Sequence, residues 1–256
     1  MKIAVVTGAS SGLGRDFVRA LDLYGYDEIW AVARREKELL SLAEECGTKV
    51  RALSLDLKDT ASFEKLGGLL AESAPEIDCL VCAAGFGRFG SFGEVGAEDS
   101  TGMIQLNCTA LMQTTYLCLP YMKKGARVIE VASVAAFQPL PYMNVYAATK
   151  AFVRSFSRAL SAELSGRGIT VCALCPGWIR TQFIGNAEKT DSSAVTSFPG
   201  MSESPDIVKK ALRAADQTQN APDRQTSGAI VFAAHRRGNF AEERGFYPVG
   251  KPEVIC

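Results

Sequence analysis

The sequence predicts an α/β fold in which helices cover both faces of a doubly wound parallel sheet of about seven strands. Short runs of β-branched residues alternate with segments whose apolar residues recur at three- and four-residue spacing, which is typical of strands followed by amphipathic helices. Several of the runs are apolar throughout, as expected for strands that are buried on both faces. No linker or repeat divides the 256 residues, so we expect a single domain over residues 1–256.

The predicted strands are spread over the whole chain. They lie at Lys2–Thr7, Glu28–Ala33, Val50–Leu55, Ile77–Ala83, Arg127–Ala132, Ile169–Leu174 and Ala229–Ala233. Helices are predicted between them at Leu13–Tyr24, Arg35–Cys46, Thr60–Ala74, Asn107–Lys123, Asn144–Ser165 and Pro205–Gln217. Residues 182–204 are a long, irregular and polar stretch, which favours a substrate loop. Residues 234–256 form an atypical tail whose role the pattern does not indicate.

The charge balance narrows the class of partner. Lys and Arg together number 28, as do Asp and Glu, so the formal net charge is zero. This balance argues against a nucleic-acid or anionic-membrane partner that is held by bulk electrostatics. The uncharged stretches at 100–122 and 131–149 contain amides, threonines or prolines that suit lipid poorly, and the first apolar run is too short for a signal peptide. We therefore expect a cytoplasmic protein with no membrane or nucleic-acid partner.

Two pairs of cysteines raise the question of a metal site. Cys79 and Cys82 lie on one predicted strand, and Cys172 and Cys175 lie on or just after another. Residues three apart on a strand face opposite sides of the sheet, whereas a tetrahedral thiolate site needs both sulfurs on one side. We therefore predict that the protein has no metal site.

The turn after the first predicted strand favours binding of a phosphate group. The chain reads Thr7-Gly8-Ala9-Ser10-Ser11-Gly12-Leu13-Gly14 and continues into a predicted helix. Glycines let the backbone turn tightly and approach a pyrophosphate, and the N-terminus of the helix offers unpaired N–H groups and a partial positive charge. The residues expected at the phosphates are Gly8, Ser10, Ser11, Gly12, Leu13 and Gly14. A glycine-rich turn without a ligand is the alternative.

A second glycine-rich segment, Gly85–Gly90, matches the pattern G-x-G-x-x-G literally. The residues that follow it, Ser91–Gly96, contain too many glycines to be expected to begin a helix. Without the N-terminus of a helix the phosphate-binding mechanism is incomplete. We therefore predict a loop at this segment.

The residues after the second predicted strand bear on the choice of dinucleotide. An acidic residue there usually binds the ribose 2′-OH of NAD, whereas an arginine accommodates the 2′-phosphate of NADP. This chain reads Ala33-Arg34-Arg35, with no acid before Glu36. The sequence therefore favours NADP(H) over NAD(H), with Arg34 beneath the 2′-phosphate. The alternative is that both arginines are solvated residues at the start of the next helix.

Three polar residues form a candidate catalytic group. Tyr146 and Lys150 are four residues apart in a long predicted helix, so they share one face of it. The ordinary pKa of a phenol is near 10, and a neighbouring ammonium group lowers it. Ser133 ends the preceding strand, so we expect its hydroxyl at the carboxyl edge of the sheet, where open α/β sheets bind ligands. A lone Tyr-x-x-x-Lys spacing is usually structural, but together with Ser133 and the glycine-rich turn it indicates a catalytic site.

These motifs resemble the short-chain dehydrogenase/reductase family, specifically its classical type, which has a Rossmann-type fold. The resemblance covers nearly the whole chain and weakens after about residue 220. The spacing Thr7-Gly8-x-x-x-Gly12-x-Gly14 is similar to the family's glycine-rich turn, and Asp56-Leu57 is similar to its adenine-contacting pair. The residues that match its catalytic tetrad are Asn107, Ser133, Tyr146 and Lys150. The segment similar to the one that fixes the nicotinamide amide contains Pro176, Gly177, Ile179 and Thr181.

The chain departs from the family at one motif. The family usually has Asn-Asn-Ala-Gly after the fourth strand, whereas this chain reads Cys82-Ala83-Ala84-Gly85. The resemblance still implies backbone contacts from Ala84 and Gly85 to the cofactor. A side-chain amide that would brace the sheet is missing, so we expect the departure to affect local rigidity more than catalysis.

The resemblance implies a role for each catalytic residue. Tyr146 exchanges a proton with the substrate oxygen, while Lys150 lowers the pKa of the tyrosine and holds the nicotinamide ribose. Ser133 donates a hydrogen bond to the carbonyl oxygen, and Asn107 holds a water that links Lys150 to solvent. The implied enzyme is an NAD(P)-dependent oxidoreductase that interconverts a carbonyl and a secondary alcohol by hydride transfer.

The segments expected around the substrate carry apolar and aromatic side chains. They are the loop after Gly85, residues 133–143 and residues 182–204. The residues predicted to contact the substrate are Ser133, Tyr146, Phe86, Tyr142 and Phe183. We expect a bulky, largely apolar ketone or alcohol, with a hydroxysteroid-like compound as one candidate.

Two other functions remain open. One is a 3-oxoacyl-type ketoreductase, for which Arg88, Arg180 and Lys189 would form a thin basic patch. The other is a non-catalytic regulator that binds NADP(H). Such a regulator does not need the tyrosine and the lysine that this chain contains.

The long helix that begins at Asn144 also predicts self-association. A stripe of small residues runs along one side of it, formed by Ala148, Ala151, Ser155, Ala159 and Ala162. In this fold the stripe should point outward, and small residues permit close approach of helices. We therefore predict a homodimer or homotetramer.

Overall fold

The computed structural model of the protein describes residues 1–188, 195–219 and 229–232. The strands are β1 Lys2–Thr7, β2 Glu28–Ala33, β3 Lys49–Ser54, β4 Glu76–Cys82, β5 Arg127–Val131, β6 Thr170–Cys175 and β7 Ala229–Phe232. The α-helices are α1 Gly12–Leu21, α2 Glu36–Glu45, α3 Thr60–Ser73, α4 Phe92–Ile104, α5 Ala110–Cys118, α6 Asn144–Leu164, α7 Phe183–Ala187 and α8 Ser204–Gln219. The predicted tail at 234–256, Ala233 and part of the predicted substrate loop lie outside the described residues.

The strands pair in the order β3-β2-β1-β4-β5-β6-β7, and all of the pairs are parallel. From β1 the chain adds β2 and β3 on one side of the sheet and then β4 to β7 on the other side. This change of side makes the sheet doubly wound and confirms the predicted Rossmann-type α/β fold. The sheet has seven strands, of which β7 is a four-residue segment at the outer edge.

The sheet separates two hydrophobic cores. Alternate residues of β1 show the division, because Ile3 and Val5 belong to one core and Ala4 and Val6 to the other. Helices α3, α5 and α6 cover the first core, and α1, α2 and α8 cover the second. Strands with an apolar residue on each face form only where both faces are covered, which explains the apolar runs in the sequence.

The cysteine pairs divide between the same two cores. Cys79 and Cys172 belong to one core, and Cys82 and Cys175 belong to the other. The sulfurs of each pair therefore lie on opposite sides of the sheet. Within the described ranges, no three His, Cys, Asp or Glu side chains come together as a metal site would require.

Helix α4 is an element that the sequence reading missed. Gly85–Gly90 is a loop as predicted, but the prediction that Ser91–Gly96 cannot begin a helix is wrong, because α4 begins at Phe92. The carboxylate of Glu94 accepts a hydrogen bond from the backbone N–H of Ser91 at 2.6 Å, which caps the first turn. Gly96 then interrupts the helix with a φ of +73°.

The predicted helix at Asn107–Lys123 is divided. A single π-helical turn at Gln105–Thr109 joins α4 to α5, and a 3₁₀ turn at Leu119–Tyr121 ends α5. The π-helical turn contains Asn107, which is fully buried. In the part of the chain that the structure describes, no helix is long and apolar enough to cross a membrane.

A buried arginine, Arg127, connects residues at the amino ends of the strands. Arg127 begins β5 and donates to Asp78 on β4 at 2.9 Å and to the hydroxyl of Tyr26 at 2.7 Å, and it also pairs with Asp216 on α8. Burial alone would raise the pKa of Asp78, but hydrogen bonds from Lys2 and Tyr26 and the charge of Arg127 outweigh it, so that pKa lies below its usual value. This network stabilises the end of the sheet where the strands begin, opposite the end that carries their carboxyl termini.

Candidate active site

The glycine-rich turn brings backbone atoms into contact that no side chain would permit. A Cβ atom on Gly14 would lie 2.3 Å from the carbonyl oxygen of Gly8, and one on Gly8 would lie 2.7 Å from the backbone nitrogen of Ala84. Gly8 and Gly12 also have positive φ angles, +69° and +52°. The turn is therefore an open backbone cradle at the N-terminus of α1, with Ser11 as the residue before the helix and Leu13 packed against the core.

Arg35 also reaches this turn. Its Nη2 and Nε atoms donate to Ser10 Oγ at 3.0 and 3.2 Å, and its Nη1 atom donates to Gln182 Oε1 at 3.3 Å. The sequence pointed to Arg34 instead and gave Arg35 no role of its own. The signal for Arg35 in the sequence was its position next to Arg34. Which of the two side chains turns toward the glycine-rich turn depends on tertiary structure.

Arg34 lies on the outer side of the same region. Its Nη1 atom is 3.9 Å from Asp56 Oδ2, and both side chains are largely exposed. Asp56 also accepts a hydrogen bond from the backbone N–H of Lys58, and Leu57 is buried beside it. The predicted adenine pair and the predicted phosphate-binding arginine therefore lie together at the ends of β2 and β3.

Asn107 joins the loop after β4 to the long helix α6. Its Oδ1 atom accepts from the backbone N–H of Phe86 at 3.0 Å, and its Nδ2 atom donates to the carbonyl of Phe86 at 2.9 Å and to Thr149 Oγ1 at 3.0 Å. A Cβ atom on Gly85 would lie 2.9 Å from Asn107 Oδ1. The π-helical turn therefore turns the amide of Asn107 toward the loop, and the absence of a side chain at Gly85 allows the contact.

Ser133 and Tyr146 lie at the carboxyl edge of the sheet. Ser133 follows β5, and its Oγ atom accepts a hydrogen bond from the backbone N–H of Ala135 at 3.1 Å. Burial raises the pKa of Tyr146 to about 12, although a hydrogen bond with Ser133 acts in the opposite direction. Tyr146 is therefore protonated at neutral pH.

Lys150 lies one turn after Tyr146 on α6. Its Nζ atom is 5.7 Å from the centre of the Tyr146 ring and donates to the carbonyl oxygen of Val131 at 2.7 Å. Burial lowers the pKa of Lys150 to about 8. In this arrangement burial has the largest effect on the pKa of Tyr146, and a backbone carbonyl holds the ammonium group of Lys150. That Lys150 lowers the pKa of Tyr146 stays a prediction.

The segment after β6 completes the same edge. Pro176 accepts a hydrogen bond from the backbone N–H of Val134 at 3.0 Å, which fixes the segment beside Ser133. Gly177 and the buried Ile179 follow, and the side chain of Thr181 lies 3.3 Å from the position of a Cβ atom on Gly12. The four residues matched to the nicotinamide segment thus run from Ser133 to the glycine-rich turn.

The residues predicted around the substrate differ in their placement. The ring of Phe183 lies 5.4 Å from that of Tyr146, and the backbone of Gly87 packs against both rings. Phe86 packs against Gly102 of α4 instead. Tyr142 is about half exposed and has a φ of +62°, an unusual value for a residue with a side chain.

An aromatic cluster forms a further wall beside these residues. The ring of Trp178 lies 6.0 Å from that of Phe89 and 4.9 Å from that of Phe198. Both contacts are edge-to-face, the arrangement that aromatic rings prefer. The surroundings of Tyr146 are therefore apolar.

Comparison with known proteins gives consistent matches. The family described as short chain dehydrogenase matches residues 2–192. The chain is 34% identical to serine 3-dehydrogenase of Agrobacterium fabrum over 195 residues, which are 73% of this chain and 78% of that one. It is 33% identical to the NADP-dependent 3-hydroxy acid dehydrogenase YdfG of Shigella flexneri over 209 residues, covering 77% of this chain and 84% of that one. Among solved structures, it is similar to a short-chain dehydrogenase from Sphingobium yanoikuyae in complex with NADPH, with a TM-score of 0.77, 29% identity and coverage of 91% and 87% of the two chains.

The buried ammonium group predicts an effect on stability. At neutral pH Lys150 is charged at a cost in desolvation free energy, so replacement by Met should raise Tm by about 3 °C near pH 7. The folded-state pKa of about 8 lies below the ordinary lysine pKa of 10.5, so the unfolded chain binds more protons between these values. Wild-type stability should therefore rise with pH over that range, and the difference in Tm should shrink.

Thermal unfolding followed by circular dichroism over this pH range measures the effect. Lys58→Met, at an exposed lysine, is the matched control and should leave Tm unchanged. If Lys150→Met had a lower Tm than the wild type at neutral pH, the claim that the buried ammonium group destabilises the folded protein would be wrong.

Proposed function

The chain belongs to the short-chain dehydrogenase/reductase family, and on that premise we propose that it reduces a carbonyl compound to a secondary alcohol, reversibly, with NADP(H). The observation that carries the proposal is the meeting of Ser133, Tyr146 and Lys150 beside the Gly8–Gly14 turn at one edge of the sheet.

The backbone cradle fits a dinucleotide. Side chains at Gly8 or Gly14 would collide with the backbone that forms it, and the N-terminus of α1 faces an anionic group placed there. The residues that would hold the cofactor are Gly8, Ser10, Ser11, Gly12, Leu13, Gly14, Asp56, Leu57, Ala84, Gly85, Tyr146, Lys150, Pro176, Gly177, Ile179 and Thr181. When bound, the nicotinamide supplies or accepts the hydride.

The polar residues handle the proton. Tyr146 is protonated at neutral pH, which suits donation to the oxygen of a ketone as it is reduced. Ser133 donates a hydrogen bond to the same oxygen and stabilises the charge that develops there. Lys150, whose pKa is about 8, can exchange a proton with solvent near neutral pH. Asn107 holds the loop at Phe86 and Thr149 of α6 in a fixed relation.

Removing the phenolic hydroxyl tests the chemistry. Tyr146→Phe keeps the ring and its contact with Phe183, but it removes the proton donor, so we expect kcat to fall about a thousandfold. NADPH binding, measured by fluorescence, should change little. Tyr121→Phe, outside the site, is the matched control and should retain the wild-type rate.

Two results would count against this role. Retention of most of the ketone-reducing activity by Tyr146→Phe would remove Tyr146 from the reaction. Tight NADPH binding by the wild type without turnover of any carbonyl compound would favour the nucleotide-binding regulator.

Arginines at the end of β2 support NADP(H). The strand ends at Ala33 without an acidic residue, and Arg34 and Arg35 flank the region between Asp56 and the glycine-rich turn. A guanidinium group binds a phosphate through paired hydrogen bonds. We propose that Arg34 and Arg35 together bind the 2′-phosphate, with Ser10 holding Arg35 in place.

The choice of dinucleotide gives a second test. Arg34→Ala and Arg35→Ala should each raise the Kd for NADPH about tenfold and leave the Kd for NADH nearly unchanged, because only NADPH carries the 2′-phosphate. Isothermal titration calorimetry measures both constants. Lys37→Ala, an exposed cation on the adjacent helix, is the control. An equal loss of affinity for the two dinucleotides would refute the assignment.

The apolar walls support a bulky substrate. Phe183 covers Tyr146, and the cluster of Phe89, Trp178 and Phe198 lies beside it. A hydroxysteroid-like compound fits this chemistry. A small 3-hydroxy acid is the competing class, because the names of two relatives, at 34% and 33% identity, refer to serine and to 3-hydroxy acids.

A substrate panel separates these classes. Steroid and aryl ketones should have kcat/KM values about tenfold or more above those of small polar oxo acids, since each buried methylene contributes about 0.8 kcal/mol. Phe183→Ala should lower kcat/KM for the bulky ketones and spare the small ones. Faster turnover of the oxo acids would replace the bulky-ketone proposal with the hydroxy-acid one.

The acyl-type ketoreductase has weaker support. Arg88 pairs with Asp99 at 2.7 Å, and Arg180 pairs with Glu203 at 2.9 Å. The two arginines of the expected basic patch therefore have acidic partners, and Lys189 lies outside the described residues. A neutralised patch offers little attraction to an acidic carrier protein.

Self-association rests on the outer face of α6. All of the residues in the small-residue stripe are exposed, and Phe152 on the same helix is an exposed aromatic residue, as is Tyr116 on α5. We propose that this face forms a homodimer, with a tetramer as a further assembly. Light scattering should give a mass of at least twice 27.4 kDa, and a monomeric mass at working concentration would refute the proposal.

A further inference from the structure

Glu130 places a carboxyl group in the centre of the sheet. It lies on β5 with no exposed surface, and its neighbours in register are Cys82 on β4 and Ala173 on β6. Burying a carboxyl group without a cation costs free energy. Among the described residues none forms an ion pair with Glu130, so hydrogen bonds must satisfy it.

Two hydroxyl groups from different helices meet this carboxyl group. Thr115 on α5 donates to Glu130 Oε1 at 3.2 Å, and Ser157 on α6 donates to Oε2 at 2.5 Å. Each hydroxyl is also within hydrogen-bond distance of its own helix, at Leu111 O and Val153 O. A hydroxyl has a single proton, so it can donate either to the helix or to Glu130.

The same elements carry the catalytic residues. Val131, next to Glu130, supplies the carbonyl that holds Lys150 Nζ. Ser157 lies about two turns after Lys150 on α6. Thr115 belongs to the helix that continues the π-helical turn of Asn107. Glu130 therefore connects both helices to the strand that leads to Ser133.

We propose that Glu130 is a positioning residue that holds α5 and α6 in register with β5 and so fixes Lys150 and Asn107. The inference rests on the carbonyl-reducing function proposed above. An ionised Glu130 needs both hydroxyl protons and holds both helices. A neutral Glu130 keeps both contacts, as donor to one hydroxyl and acceptor from the other, but neither is charge-assisted, so both helices are held less firmly.

The two forms of Glu130 exchange near neutral pH. Burial raises the pKa of Glu130 to about 7, and hydrogen bonds from Ser157 and Thr115 oppose that rise. The titratable group that interacts with it is the thiol of Cys82 on β4. The thiols of Cys118 on α5 and Cys175 on β6 belong to the same core, and the ammonium group of Lys150 lies on α6. Burial raises the pKa of each thiol, so the thiols stay neutral in this range. Lys150 titrates separately, at about 8.

Activity and stability should respond to Glu130 in opposite directions. Ionisation strengthens the hydrogen bonds that hold both helices. The ratio of the wild-type kcat to that of Glu130→Gln should therefore rise about threefold between about pH 6 and pH 8. This effect is small beside the hundredfold loss that a misplacement of about 1 Å can cause. The folded-state pKa exceeds the unfolded value of about 4.5, so wild-type stability should fall as pH rises toward 7. Gln cannot ionise, and its Tm should gain about 5 °C on the wild type over the same range.

The experiment measures kcat for a ketone, the Kd for NADPH and Tm for each variant over this pH series. Val128→Ala, on the same strand and in the core that α5 and α6 cover, is the matched control. It should lower Tm at every pH without a pH-dependent change in kcat. Ser157→Ala should reduce the pH-dependent rise in kcat, and combining it with Glu130→Gln should add nothing further.

The outcomes separate this inference from the proposed function. A constant ratio of the wild-type kcat to that of Glu130→Gln across the series would overturn the positioning role, and so would parallel losses of kcat and Tm. If the wild type reduces no carbonyl compound, the proposed function fails. The pH dependence of Kd and Tm, which needs no turnover, then decides on Glu130: a difference between the wild type and Glu130→Gln that is constant with pH would overturn the inference.

Discussion

The arrangement of the site depends on one contact between two backbone segments, the turn after β1 and the end of β4. Thr7 Oγ1 accepts hydrogen bonds from the backbone N–H groups of Ala83 and Ala84 at 3.1 and 3.2 Å, and Gly8 lies directly against Ala84. The approach of Gly8 to Ala84 involves backbone atoms of both segments, so no change of rotamer can relieve it. It fixes the N-terminus of α1 relative to the loop after β4, and Asn107 extends the same frame to α6.

This contact also compensates for the departure from the family's Asn-Asn-Ala-Gly motif. The resemblance implies that a bracing side-chain amide is missing from the segment Cys82-Ala83-Ala84-Gly85. In the structure the hydroxyl of Thr7 binds the backbone at that point, and the amide of Asn107 binds both polar backbone groups of Phe86. Hydrogen bonds from neighbouring elements therefore hold the loop without the missing side chain.

The sequence predicted the parts of the molecule that follow from local pattern. Apolar runs indicate strands covered on both faces, and the division of Cys79 and Cys82 between two cores follows from the alternation of a strand. Helix α4 was not predictable from glycine content, because a cap at Ser91 and a break at Gly96 reconcile those glycines with a helix. The contact of Lys150 with Val131 could not be predicted either, since it depends on how closely α6 packs on β5.

The two edges of the sheet serve different purposes. The ion pairs of Arg127 hold the amino ends of the strands, while the residues that would meet the reactants lie at the carboxyl ends. Many enzymes lose turnover when they are made more robust, because the same residues determine both properties. Here the length of the strands separates them. Directed evolution for thermostability can therefore target residues at the amino ends of the strands. The stabilised protein then tolerates larger changes in the loops at the carboxyl ends.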